Sequence, residues 1–338
     1  ARLSSQFEGV FDMRFSEALP YTHKSQYLLA VTLTGSNDAS IQGNDHDNLL
    51  RGNPADNTLD GGEGFDTAIY CHDQSAYAFQ PDGQTLIVQG PDGSDTLILD
   101  GGIGLHWLGN TLLAESFGSG KGKAHLFFSH TNWSHIQGVP FFVPLLIPGN
   151  SIHLYGRAGL YGMQKVLCDQ MSPAYCPVPD FFDDAIGAQV DVSELDESPI
   201  RLGSLLIEYA EIGQVHGSPR LGYRISNEMN ALAYIPAVEY LNDAVREAAR
   251  RLANDTDLLI HDAYYSDEEY LTQQGRGHSC PRQALELAQS ASTKRLLLFN
   301  HHPERTDQAL DEVANALNSA ELPVECGRER GVYALEER

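Results

Sequence analysis

The sequence predicts an α/β layered domain preceded by a short coil of parallel strands. Two observations carry this expectation. Residues 34–69 repeat with a period of nine, placing one apolar side chain in each repeat. From about residue 84 onward, apolar runs of strand length alternate with stretches of helical spacing. At 338 residues the chain has room for both units, and its 42% hydrophobic content suits a packed protein rather than a disordered one.

Residues 1–33 read as an N-terminal extension; "ARLSSQFEGVFDMRFSEALP" is not built as a secretory signal, which leaves room for a processed start. Residues 34–74 form the repeat segment. Its nonads are "TGSNDASIQ", "GNDHDNLLR", "GNPADNTLD" and "GGEGFDTAI". Ile41, Leu50, Leu59 and Ala68 hold the eighth place and point inward, Gly43, Gly52 and Gly61 open successive turns, and Asn48, Asn57 and Asp66 hold the sixth place. One inward residue per nine makes a coil of short parallel strands. Its turns offer carbonyl and carboxylate oxygens to Ca²⁺, a hard cation that takes about six to eight such ligands. The last nonad resembles the calcium-binding β-roll repeat of secreted toxins and proteases. That resemblance implies Ca²⁺ near Asp66, Asn57 and Asn48, and export to the cell surface or beyond.

Residues 75–338 make up the layered domain. "YAFQPDGQTLIVQG" and "SDTLILDGG" read as strands punctuated by Asp-Gly turns. "AHLFFSH", "SIHLYG", "TDLLIHDA" and "KRLLLFNHH" are buried strands, several ending in polar residues, as strands do when they deliver side chains to a site at a sheet edge. Val238, Leu241, Val245, Ala248 and Leu252 predict a helix over 238–253. "CPRQALELAQSAS" and "ERTDQALDEVANALNSA" predict two more, with Pro281 in a first turn.

Acidic residues outnumber basic ones 46 to 22, a formal charge of −24. Such a surface repels nucleic acid and anionic lipid and attracts cations. No apolar run approaches the roughly 18 residues of a membrane span. Five cysteines form no CxxC pair. Cys168 and Cys176 are near enough in sequence to bridge, and Cys71 and Cys326 are candidate contacts in an assembly.

"LDGGIGL" (99–105), "SHTNWSHIQGVPFF" (129–142), "HGSPRLGYRI" (216–225), "LLIHDAYYSDEEY" (258–270), "GRGHS" (275–279) and "LLLFNHHPERTD" (296–307) occur in one order. In that order they resemble the metallo-β-lactamase superfamily, in its phosphodiesterase-like branch with the tRNA 3′-end endonucleases. The resemblance implies an αββα sandwich with its site at the sheet edges. It also implies two divalent ions held by an HxHxDH loop, a downstream histidine, a bridging aspartate and a final histidine. Two ions about 3.5–4 Å apart would activate a water for attack on phosphorus or carbonyl. His130, His135 and His216 match that pattern. Asn132, Ser134, Ala237 and Asn300 stand where the second histidine, the aspartate, the bridging aspartate and the final histidine belong. An amide oxygen is a weak ligand for Zn²⁺, and losing both carboxylates removes the charge that holds two dications together.

Three readings follow. The preferred one is a protein of this fold that has lost hydrolysis and serves as an exported binding or structural protein, with protein or small-molecule partners, Ca²⁺ in its repeats, and self-assembly as an option. In the second, His130, His135 and His216 hold one Zn²⁺ or Mn²⁺, with His301 available to replace Asn300, and Asp262 and His278 act as the proton-transferring pair of the endonucleases. In the third, the pocket keeps a ligand such as a nucleotide without turning it over. Ser134 as a nucleophile lacks an elbow motif to support it.

Overall fold

The computed structural model describes residues 96–172, 187–196, 198–215, 217–329 and 331–335, together with backbone strands between residues 11 and 89. The chain divides into two compact units, residues 1–75 and 76–338.

The first unit contains β1 (Phe11–Phe15), β2 (Tyr21–Thr22), β3 (Leu29–Leu33), β4 (Ala39–Gln42), β5 (Asn48–Arg51), β6 (Asn57–Asp60) and β7 (Thr67–Ile69). Successive strands alternate between two parallel sheets, β1-β3-β5-β7 and β2-β4-β6. Leu49 pairs with Thr67 and Ile41 with Leu59, each eighteen residues on, or two nonads. The ninefold period of the sequence is therefore the half-turn of a β-roll. The strands before residue 34 pair in the same parallel sheets.

The second unit begins with β8 (Ala78–Asp82), β9 (Thr85–Gln89) and β10 (Thr96–Leu99), and continues through β11 (Lys123–Phe127), β12 (Ser151–Gly156) and β13 (Gln189–Glu194). Its other strands are β14 (Ile200–Leu202), β15 (Leu205–Val215), β16 (Ser218–Ser226), β17 (Ala231–Ile235), β18 (Leu258–Asp262), β19 (Leu296–Phe299), β20 (Val324–Cys326) and β21 (Tyr333–Ala334). They form two seven-stranded sheets, ordered β13-β12-β11-β10-β9-β8-β21 and β14-β15-β16-β17-β18-β19-β20.

Alternation along the strands builds three apolar layers. Leu97, Leu99 and Phe127 of the first sheet meet Leu221, Tyr223, Leu232, Tyr234, Ile260 and Leu297 of the second. On the outer face of the first sheet, Ile98, Leu126 and Leu154 are covered by α1 (Gly104–Leu112) and α3 (Met163–Gln170) through Leu105, Leu108, Met163 and Leu167. On the outer face of the second, Ala233, Leu259 and Leu298 are covered by α4 (Asp243–Ala253) and α6 (Pro281–Ser290) through Leu252 and Leu287. Three shorter or flanking helices are α2 (Trp133–Ile136), α5 (Asp267–Gln273) and α7 (Asp307–Leu317). This is the expected αββα sandwich. Among the described residues, no helix is long and apolar enough to cross a membrane.

Two expectations need correction. The helix read over 238–253 starts only at Asp243, because Asn242 caps it by accepting from the Val245 amide. Val238 is buried in the loop after β17, and Leu241 is 66% exposed. Cys326 is no surface contact: it is a buried free thiol, burial pushes it up to about 11, and its Sγ donates to the Leu310 carbonyl. Cys71 and Cys176 lie outside the described residues.

Candidate active site

Five chain segments converge at one edge of the sandwich, each leaving or entering a strand. Asp100 follows β10 and Asn300 follows β19, both in left-handed backbone (φ 63° and 56°). Aspartate and asparagine tolerate that conformation better than other residues with a Cβ. The turn reverses the chain and leaves each side chain at the edge.

Asp100, which the sequence reading did not single out, is the hub. It is fully buried. Its carboxylate accepts from the Ser129 amide at 2.7 Å, the Ser129 hydroxyl at 2.7 Å, His135 Nδ1 at 2.8 Å and the Tyr234 hydroxyl at 2.9 Å. Tyr234 is held well above the usual phenol range by burial and then by the Asp100 charge. Glycine makes the turn possible: a Cβ at Gly138 would lie 1.9 Å from the Gly102 carbonyl oxygen. Gly101 and Gly138 are free to clamp the His135 segment, with Gly101 N donating to His135 O and Gly138 N to Gly101 O.

These contacts fix the tautomers. Ser129 has a single hydroxyl proton and gives it to Asp100, so His130 Nδ1 donates to Ser129 Oγ at 2.8 Å. His135 Nδ1 likewise donates to the carboxylate. Both rings therefore keep a bare Nε2, the arrangement in which a metal-binding imidazole is normally braced. The ring centroids lie 4.0 Å apart. His130 is held well below the usual imidazole range by burial first, and then by the neighbouring charges of His135, Arg220 and His278.

Across the site, Asp262 ends β18 fully buried. It accepts from the Ser279 amide at 2.7 Å, Asn300 Nδ2 at 3.0 Å and His278 Nδ1 at 3.3 Å. Tyr264 stacks on the His278 ring with centroids 4.6 Å apart. Glu239 grips the turn before His278 by accepting from the Gly275 amide at 2.5 Å and the Gly277 amide at 2.7 Å. The pair read from the sequence is thus assembled, and Glu239, Tyr264 and Ser279 brace it.

A profile of the beta-lactamase superfamily domain matches residues 107–302, more than half of the chain. The chain belongs to the beta-lactamase superfamily. Ribonuclease Z of Halorubrum lacusprofundi is 25% identical to it over 226 residues, 54% of this chain and 71% of that protein. Ribonuclease Z of Gemmatimonas aurantiaca shares 48% identity, but over only 46 residues, 14% of this chain and 15% of that one. The short form of human tRNase Z has the same fold, with a TM-score of 0.52 at 18% identity over 75% of this chain and 92% of the other. YhfI of Bacillus subtilis, a metallo-beta-lactamase fold protein, gives 0.54 at 15% identity over 77% and 100%. The sequence relatives are of the phosphodiesterase-like kind that the motifs implied.

The resemblance implies a pair of ions, and among the described residues the donors for a pair are not brought together. Ala237 is buried just past β17 and offers no donor. Asn300 turns its amide N–H toward Asp262 and the Pro236 carbonyl, so it serves as a donor rather than a ligand. His301 Nε2 is buried without a hydrogen-bond partner. Asn132 is exposed at the start of α2 and makes no capping bond. Ser134 is half-buried in α2. Among the described residues, no group of three His, Cys, Asp or Glu side chains is placed to hold an ion. His216 and Asp66 lie outside the described residues, as do the side chains of Asn48 and Asn57. What remains at this edge is the Nε2 pair of His130 and His135, which suits one ion at most.

Proposed function

We propose that the 76–338 unit is a phosphodiester hydrolase with a reduced cation site. The observation that carries this is the braced Asp262–His278 pair, set at the same sheet edge as the bare Nε2 atoms of His130 and His135. The kinship with ribonuclease Z favours this reading over the expectation of a chain that has given up hydrolysis. His130, His135 and His216 would hold a single Zn²⁺ or Mn²⁺, which when bound polarises a phosphoryl oxygen or a water. Asp262 holds the His278 ring through Nδ1, so that Nε2 can deliver a proton to the leaving oxygen. RNA phosphodiesters belong among the candidate substrates because the relatives are ribonucleases, despite the acidic surface.

The test is turnover of bis(p-nitrophenyl) phosphate by the full chain with Zn²⁺ or Mn²⁺. Hydrolysis above background is expected, and His135→Ala should lower it at least tenfold. No hydrolysis with either ion, or an unchanged rate in the variant, would end the reading.

We also propose that Ca²⁺ binds the N-terminal roll, in keeping with an exported protein. The support is the ninefold Gly/Asn/Asp repeat together with the two-sheet parallel coil. Millimolar Ca²⁺ should raise protease resistance of residues 1–75 in the full chain relative to excess Mg²⁺. Equal cleavage in both ions would count against it.

A further inference from the structure

Arg220 stands near the start of β16, and its strand is stitched to the His130 turn by the Leu221 amide donating to the Ser129 carbonyl at 2.8 Å. The side chain is only 3% exposed. Its Nη1 donates to the carbonyl of Gly277, the residue before His278. The guanidinium therefore spans from the His130 side of the site to the His278 side. Its charge helps hold the His130 imidazole below its ordinary range.

A buried guanidinium normally faces a carboxylate, since an uncompensated buried charge is costly. Here Nε is buried without a hydrogen-bond partner, and among the described residues Arg220 forms no ion pair. The nearby carboxylates are engaged elsewhere: Asp262 with Ser279, Asn300 and His278, and Glu239 with the Gly275 and Gly277 amides. Burial lowers the Arg220 pKa from its high ordinary value, against the opposing pull of those two carboxylates. Arginine nevertheless stays protonated at any working pH. A fixed positive charge thus stands in the field of two carboxylates whose hydrogen bonds are spent on other donors, and its Nε–H is left without an acceptor.

We infer that Arg220 is an oxyanion-binding residue, which takes a phosphoryl oxygen of a phosphate ester and supplies the positive charge a second metal ion would otherwise bring. A planar guanidinium presents parallel N–H donors that match two oxygens of a tetrahedral phosphate. The phosphate-ester class rests on the hydrolase reading above; the unmet Nε–H of a buried guanidinium does not.

The experiment is titration of inorganic phosphate into the full chain after exhaustive chelation, followed by calorimetry at constant ionic strength, with chloride and acetate as controls. Phosphate should bind the metal-stripped protein in preference to both controls. Arg220→Met should weaken it at least tenfold, and Arg220→Lys, which keeps the charge but loses the fork, several-fold. If Arg220→Met does not fold, the lysine variant alone decides. Failure of phosphate to bind, acetate binding as well as phosphate does, or wild-type affinity in Arg220→Lys would each overturn the inference. The two proposals fail separately. A chain that binds phosphate through Arg220 without turning over any diester would end only the hydrolase reading. A chain that hydrolyses diesters but binds phosphate equally well in Arg220→Lys would end only this one.

Discussion

Asp100→Ala is expected to destabilise the 76–338 unit by about 3–5 kcal/mol, the cost of stripping one partner from a buried charged network. The carboxylate is fully buried and collects donors from Ser129, His135 and Tyr234. Alanine removes the acceptor that all of them share, and each unpaired buried donor costs about 1–3 kcal/mol before relaxation. Asp100→Asn keeps the volume and one acceptor oxygen, so its loss should be smaller, about 1–3 kcal/mol. Urea unfolding followed by tryptophan fluorescence makes the measurement specific. The chain's two tryptophans, Trp107 and Trp133, both belong to this unit and both follow Asp100 in sequence. Equal stability of wild type and Asp100→Ala would mean that the His130 and His135 tautomers are not set by this carboxylate.

The hub shows where sequence reasoning reaches and where it stops. Strands β18 and β19 were legible because each carries an uninterrupted apolar run that ends in polar residues, and "LLIHD" and "LLLFN" deliver Asp262 and Asn300 as that pattern implies. Asp262 and His278 were legible through their spacing and their flanks. Asp100 was visible only as part of "LDGG". Its partners come from 29, 35 and 134 residues away, and nothing local to the motif announces them. The early start given to α4 has the same origin. Val238 is buried as the apolar period predicts, but it is buried by the sheet-edge loop, and the Asn242 cap decides where the helix begins.

Arg220 is the harder case. In "HGSPRLGYRI" nothing local marks Arg220 as buried, and charged side chains are seldom buried without a partner. Only the fold reveals that this one is buried and that its neighbours' carboxylates are already engaged. The roll gives the opposite lesson. Its period of nine was plain in the sequence, and the strand pairing eighteen residues apart follows from it directly.

His278→Ala is expected to lower kcat for phosphodiester hydrolysis by about 10²–10⁴, the usual contribution of a positioned proton donor. That range corresponds to roughly 3–5 kcal/mol of transition-state stabilisation at 1.36 kcal/mol per decade. The loss should fall on kcat with little change in KM, because a proton passed to the leaving oxygen is felt only as the bond breaks. Asp262→Asn should lose part of this, since the amide can still fill the space but no longer stabilises a charged imidazole. A merely structural role for His278 would slow all substrates alike. A proton donor will not: a nitrophenolate departs readily without help, whereas an alkoxide such as a ribose oxygen needs its proton. The ratio of wild-type to His278→Ala rates should therefore be at least tenfold larger for a dinucleotide than for bis(p-nitrophenyl) phosphate. Equal ratios for the two substrates would remove His278 from the chemistry and leave the Asp262 network as a brace for the His278–Ser279 segment.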